Sequence, residues 1–75
     1  MKVTILSKEN CRHKAQLLHN FSEAMDSCGM ELKWDEKVCK EEFPAIIING
    51  YDPRPSHLVN NMIATVDMIR FALIK

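Results

Sequence analysis

The sequence has no Cys-x-x-Cys pair, only two glycines and no long block of charge of one sign. Without the cysteine pair, a standard zinc knuckle is excluded. Without a glycine-rich turn, a phosphate loop is excluded. Ten basic residues balance ten acidic ones and form no broad basic stripe, which argues against a nucleic-acid partner. There is no acidic or basic tail, no internal repeat and no low-complexity segment. No Ser, His and acid are placed to suggest a hydrolytic triad. An uninterrupted membrane span is missing as well. The apolar C-terminal stretch is broken by Asn60, Asn61, Asp67 and Arg70. The apolar run after Lys2 is too short for a secretory signal and reads as a strand. These absences point to a soluble, cytoplasmic chain.

What remains is small. The 75 residues leave room for one core, so the expectation is a single domain over residues 1–75 that uses nearly every apolar run. Three cysteines, Cys11, Cys28 and Cys39, are an odd count at irregular spacing, which is not a secreted disulfide framework.

The pattern "KVTILS" reads as a strand over residues 2–7, central because Val3, Ile5 and Leu6 have little polar relief. Asn10 is the expected N-cap of a helix from residue 11 onward. Ala15, Leu18, Phe21, Met25 and Cys28 recur at helical spacing, and Gly29 ends the helix. "MELKWD" alternates and predicts a half-buried strand over residues 30–35. The polar "EKVCKEE" predicts a loop or one irregular helical turn, in which Glu41 and Glu42 read as solvated. "FPAIIING" predicts a short buried strand over residues 45–48, and Asn49-Gly50 the turn of a hairpin. Pro53 and Pro55 restrict any return strand to a short edge piece over residues 51–54. Ser56 is the expected cap of a last helix over residues 57–74, with Val59, Met62, Ile63, Val66, Ile69 and Leu73 inward. Met68, Phe71, Ala72 and Ile74 widen its apolar surface. That surface either lies deep against the sheet or is a patch for a protein partner or a homodimer. The order is β-α-β-β-(β)-α.

Two segments carry a resemblance. "VTILSKENC" followed by a helix is similar to the opening of glutaredoxins, and "FPAIIING" resembles the second hallmark of the thioredoxin superfamily, a cis proline before a core strand. The resemblance covers nearly the whole chain. It implies an α/β, thioredoxin-like fold, a shortened glutaredoxin-like version in two or three layers. Its mixed central sheet would have three to four strands, with two long helices.

On this resemblance Cys11 matches the nucleophilic cysteine, Lys8 the lysine that favours the thiolate and holds a glutathione carboxylate, and Pro44 the cis proline beside the sulfur. His13, Lys14 and Phe43 complete the implied substrate groove. No resident cofactor is implied. Glutathione or a protein disulfide would be the partner. Three departures stand out. Lys14 replaces the resolving cysteine, Arg12-His13 replaces the usual pair inside the motif, and "YDPRPS" replaces the Gly-Gly pair that binds the rest of glutathione.

At the first turn of a helix, with Lys8, Arg12, His13 and Lys14 nearby, the Cys11 thiol would fall below its usual pKa of about 8.5. The alternative is an inert, partly buried cysteine. Cys39, five residues before Pro44, is either a resolving thiol or a loop residue of no consequence. A Cys11–Cys39 disulfide would need α-carbons within about 7 Å. Cys28 reads as packing. Cys11-x-His13 with His19, Cys39 or His57 offers metal-ligand types, but at no recognised zinc spacing, so no metal site is expected. Two functions follow: a thiol-redox protein acting through Cys11, or a non-catalytic binding module on the same fold.

Overall fold

A computed structural model describes residues 1–74. Strand β1 (Val3–Ser7) leads to helix α1 (Lys14–Cys28), then to strands β2 (Asp35–Val38) and β3 (Ala45–Ile48), and the chain closes with helix α2 (Val66–Ile74). The sheet is open and mixed, in the order β2-β1-β3. β2 runs parallel to β1, with Thr4 opposite Asp35 and Ser7 opposite Val38. β3 runs antiparallel, with Val3 opposite Ile48 and Ile5 opposite Ile46.

Alternation along β1 turns Val3, Ile5 and Ser7 inward, and Ile46 and Ile48 join them from β3. Both helices cover this face. Leu17, Phe21 and Ala24 of α1 and Ile69, Ala72 and Leu73 of α2 belong to the same buried cluster. The architecture is thus a small two-layer α/β arrangement.

Helix α1 starts later than the sequence predicts. Asn10 adopts φ 56°, a left-handed conformation that an N-cap does not use. The chain instead turns through Cys11, whose carbonyl accepts from Lys14 N at 3.3 Å. His13 stands at the N-cap without a side-chain capping bond. Cys11 therefore precedes the helix rather than lying in its first turn. The buried face is also rotated: Leu17 and Ala24 are inside, and Ala15 is exposed. The C-terminus forms as read. Gly29 takes φ 66°, with Met30 N bonded to Met25 O at 2.9 Å and Gly29 N to Asp26 O at 3.2 Å.

The second strand is displaced. Residues 30–34 form no strand, and the ladder falls on "DEKV", which keeps only Asp35 of the expected strand and takes Glu36, Lys37 and Val38 from the polar segment after it. An extended residue spans at most about 3.3–3.6 Å, so several residues are consumed in crossing from the end of α1 to the sheet edge. Met30 and Leu32 pack against the core on the way. β2 itself is exposed throughout and carries three charged residues, which suits an edge strand that must not recruit another.

The Asn49-Gly50 turn forms with both residues at positive φ, 52° and 80°. Its return strand shrinks to one bridge, Ile48 with Tyr51, because Pro53 and Pro55 cannot donate to a ladder.

The last helix is divided. Residues 57–74 are not continuous: a short 3-10 turn (Ser56–Leu58) is followed by non-helical residues up to Thr65. Side chains take the carbonyls that a helix would need. Arg54 Nη1 donates to Met62 O at 2.9 Å, and Asn20 Nδ2 donates to Ala64 O at 3.0 Å. α2 then begins at Val66, just after Thr65, whose Oγ1 accepts from Met68 N at 3.3 Å. Ser56 caps nothing, and Pro55 holds the N-cap position of the 3-10 turn. Ile69, Ala72 and Leu73 of α2 are buried, while Phe71 and Ile74 are exposed.

Candidate functional site

The parallel ends of β1 and β2 and the antiparallel start of β3 lie at one end of the sheet. Two loops therefore meet there. The β1–α1 loop carries Lys8, Cys11, Arg12 and His13; the β2–β3 loop carries Cys39, Glu42, Phe43 and Pro44. Outside the carboxyl ends of parallel strands is where open α/β sheets place ligands. A shallow cavity here is lined by Ser7, Lys8, Cys11, Lys14, Glu36 and Val38, among others.

The two loops touch at Cys11. Its Sγ donates to the Glu42 carbonyl at 3.9 Å, a long and weak contact. The His13 ring stacks on Phe43 with centroids 4.8 Å apart and an interplanar angle of 22°. Pro44 is buried behind them, and its carbonyl accepts from Arg54 Nη1 at 3.5 Å. The structure thus brings Cys11, His13, Phe43 and Pro44 into one region.

One expectation is corrected: no peptide bond before residue 75 is cis, so Phe43–Pro44 is trans. The trans form of an X-Pro bond is favoured by about 0.5–1 kcal/mol, and here the loop runs into β3 without the tight turn that cis proline usually serves.

Cys39 follows β2 directly, and its N–H donates to Ser7 O at 2.9 Å, which extends the β1–β2 pairing. Cys11, Cys28 and Cys39 are all half-buried free thiols. Cys28 packs against the core from α1.

The electrostatics differ from the expected open cluster of cations. Lys8 pairs with Glu42, and Lys14 with Glu36. Arg12 Nη2 and His13 Nε2 lie 3.9 and 4.0 Å from Glu42 Oε1. Trp34 Nε1 also donates to Glu36 Oε2, at 3.3 Å. Two carboxylates thus answer the positive charge around Cys11. The hydrogen bond from Lys8 lowers the Glu42 pKa below 4.5, helped by the charges of Lys8, Arg12 and His13. The hydrogen bonds from Lys14 and then Trp34 lower that of Glu36 in the same way.

These lowered values carry a pH prediction. A carboxylate whose pKa drops on folding stabilises the fold above its unfolded pKa and loses that effect as pH falls through the folded value. The contribution of Glu36 and Glu42 should therefore be full at neutral pH and disappear below the ordinary value of 4.5. Urea midpoints of the wild type and of the Glu36→Gln/Glu42→Gln variant should converge as pH drops through that range. Curves that stay parallel would show that these pairs add nothing to stability.

The residues that sequence reasoning missed are acidic or remote. Glu42 is exposed, in keeping with the solvated-loop reading; what the sequence does not show is its pairing with Lys8, for which its position two residues before Pro44 is the one signal. Glu36 and Trp34 were assigned to other elements. Arg54 sits in "YDPRPS", read as an edge piece, yet its side chain is 4% exposed. It forks onto Asp52 through Nε at 3.1 Å and Nη2 at 2.8 Å. An arginine between two prolines and two residues after an aspartate was the available hint.

Among the described residues, no group of three or more His, Cys, Asp or Glu side chains gathers to hold a metal ion. No helix of the described residues is long and apolar enough to cross a membrane. No protein-family model matches the chain, and no match is found among curated proteins or solved structures.

Proposed function

We propose that the chain is a small thiol-exchange protein acting through Cys11 on a shortened thioredoxin-like scaffold of the glutaredoxin type. The observation that carries this reading is the contact of Cys11 Sγ with the Glu42 carbonyl, 3.9 Å away, because it sets a half-buried thiol beside the loop that enters β3 through Phe43-Pro44. The element order β-α-β-β-α supports the scaffold part of the reading.

The Cys11 thiolate attacks one sulfur of a protein disulfide or of glutathione disulfide. A new S–S bond forms to Cys11, the old one breaks, and the other sulfur leaves as a thiolate. A free glutathione thiolate then attacks the bound sulfur of the mixed disulfide, forms a disulfide with it and releases Cys11 as a thiolate; or Cys39 attacks the Cys11 sulfur, forming a Cys11–Cys39 disulfide and releasing the bound sulfur as a thiolate. A reducing, cytoplasmic setting fits three cysteines kept as free thiols.

The second reading is a non-catalytic binding module for a protein partner or a second copy. It is favoured by Phe71 and Ile74 of α2, 67% and 65% exposed, and by the pairing of Lys8 and Lys14 with carboxylates. Cys11→Ser separates the two. Under the first reading, exchange with glutathione disulfide or a small protein disulfide falls to the uncatalysed background while the fold stays intact by circular dichroism. Exchange that survives the substitution sinks the thiol reading.

A further inference from the structure

The two disulfide classes open to Cys11 differ in charge. Glutathione disulfide carries more carboxylates than ammonium groups and is anionic near neutral pH. A disulfide inside a protein chain brings no terminal carboxylates of its own. The cavity beside Cys11 is lined by Lys8 and Lys14, the cations that an anionic disulfide would meet first. Both are already answered from within the chain, Lys8 by Glu42 and Lys14 by Glu36. The hydrogen bonds from these lysines hold both carboxyls below 4.5, so both are charged at neutral pH. Arg12 Nη2 reaches the same Glu42 at 3.9 Å. Glu9 and Lys37, the other charged groups on the cavity wall, are of opposite sign. Exposed pairs of this kind hold each other loosely, so they do not lock the lysines in place. What they set is the field: a carboxylate at hydrogen-bond distance from an ammonium cancels most of its pull on a third charge. On the β2 side the wall is apolar, with Val38 72% exposed. A polar tripeptide gains little there, whereas a protein segment with an apolar residue beside its disulfide gains buried area.

We propose that Glu36 and Glu42 are specificity-determining residues: by neutralising the cations beside Cys11 they turn the site away from anionic glutathione disulfide and toward a protein disulfide without acidic flanks. This deepens the thiol-exchange reading and rests on Cys11 as the working thiol. Neither carboxylate needs to touch the sulfur, because each acts on the charge that an incoming disulfide meets. Specificity is a difference of affinities, so withholding a counter-charge from one substrate serves as well as adding a contact to the other.

The test is the single-turnover rate of mixed-disulfide formation at Cys11 in the full chain, with the adduct located by mass. The probes are glutathione disulfide, which is anionic, and bis(2-aminoethyl) disulfide, which is cationic. In each case the Cys11 thiolate bonds to one half, the S–S bond of the probe breaks, and the other half leaves as a thiolate. Each rate is divided by that of a small free thiol with the same probe. The ratio of the two quotients is then read, so the ionised fraction of Cys11 cancels. In the wild type this anion-to-cation ratio should be no more than about threefold above unity. Glu36→Gln/Glu42→Gln should raise it by about tenfold, the size expected when two unit charges are removed within a Debye length of about 8 Å from the probe. Each single variant should raise it by about threefold, which keeps the test open if the double variant does not fold. The gain should shrink in 1 M salt, where screening acts over about 3 Å. Glu23→Gln/Glu31→Gln removes the same formal charge from the far half of α1 and the segment after it, and should leave the ratio in place. The proposal is overturned, with thiol exchange left standing, by a wild-type ratio already about tenfold toward the anion, by a ratio unmoved in the folded variants, by a gain that persists in 1 M salt, or by an equal shift in the control. A Cys11 that forms no adduct with either probe overturns the thiol-exchange reading itself, and the proposal with it, so the two failures are distinct.

Discussion

Phe21→Ala is expected to remove most of the stability of this chain. Phe21 is fully buried on α1, and it is the largest of the side chains sealed in the core. Its ring meets Trp34 edge to face, with centroids 5.3 Å apart and planes at 78°. Truncating a buried phenylalanine costs about 3–5 kcal/mol, because transfer energy is lost and a cavity remains. A chain of this length has a total stability of about 4–11 kcal/mol, and a small core has little room to relax around a void. Trp34 is the only tryptophan, so its fluorescence reports the transition without a label. Urea unfolding should show a large fall in midpoint for Phe21→Ala and a much smaller one for Phe21→Leu. A loss below about 1 kcal/mol for the alanine variant would mean that α1 does not pack on the sheet through this residue.

Arg54→Ala is the second expected large loss. The guanidinium is buried, forks onto Asp52, and donates from Nη1 to the carbonyls of Met62 at 2.9 Å and Pro44 at 3.5 Å. It therefore ties the segment after the hairpin both to the entrance of β3 and to the stretch before α2. Removing it takes the charged partner from the Asp52 carboxylate, whose side chain is 24% exposed and which keeps only the Arg54 backbone N–H at 3.0 Å, and takes a donor from two backbone carbonyls. Breaking a buried ion pair by deleting one member costs about 3–5 kcal/mol, and the partial exposure of Asp52 brings the expectation to about 2–4 kcal/mol. Lysine should not rescue it, since a single ammonium cannot reproduce the planar fork. Asp52→Asn combined with Arg54→Met should recover part of the loss, because no unpaired charge is left behind. Denaturant midpoints for these variants decide the matter: an Arg54→Ala variant as stable as the wild type would show that the fork is incidental.

Local patterns in the chain were legible where the local signal was unopposed. The alternation of "VTIL", the run "AIII", the Asn49-Gly50 turn and the glycine stop at Gly29 each depend on near neighbours, and each formed where expected. Pro44 beside Cys11 was implied by the family resemblance alone; it is the parallel β1–β2 and antiparallel β1–β3 pairings that put the ends of β1 and β2 and the start of β3 at one end of the sheet. The misplaced elements have a common cause. "MELKWD" has strand periodicity, but it is used in crossing between layers, and burial of Met30 and Leu32 satisfies that periodicity without a ladder. Residues 57–74 have helical periodicity, but Arg54 and Asn20 capture carbonyls that a continuous helix would need.

The sequence by itself determined the apolar runs of β1 and β3, the β-α-β-β-α order and the position of the thiol between a strand and a helix. These follow from residue spacing, which acts within a few positions along the chain. Only the tertiary structure decided which charges meet. Lys8 and Glu42 are 34 residues apart, and Lys14 and Glu36 are 22 apart. Side chains that distant become neighbours only after the sheet register is set, and that register is decided by burial of the whole apolar face rather than by any local pattern. The charge around Cys11 is for that reason a property of the fold and not of the motif that contains it.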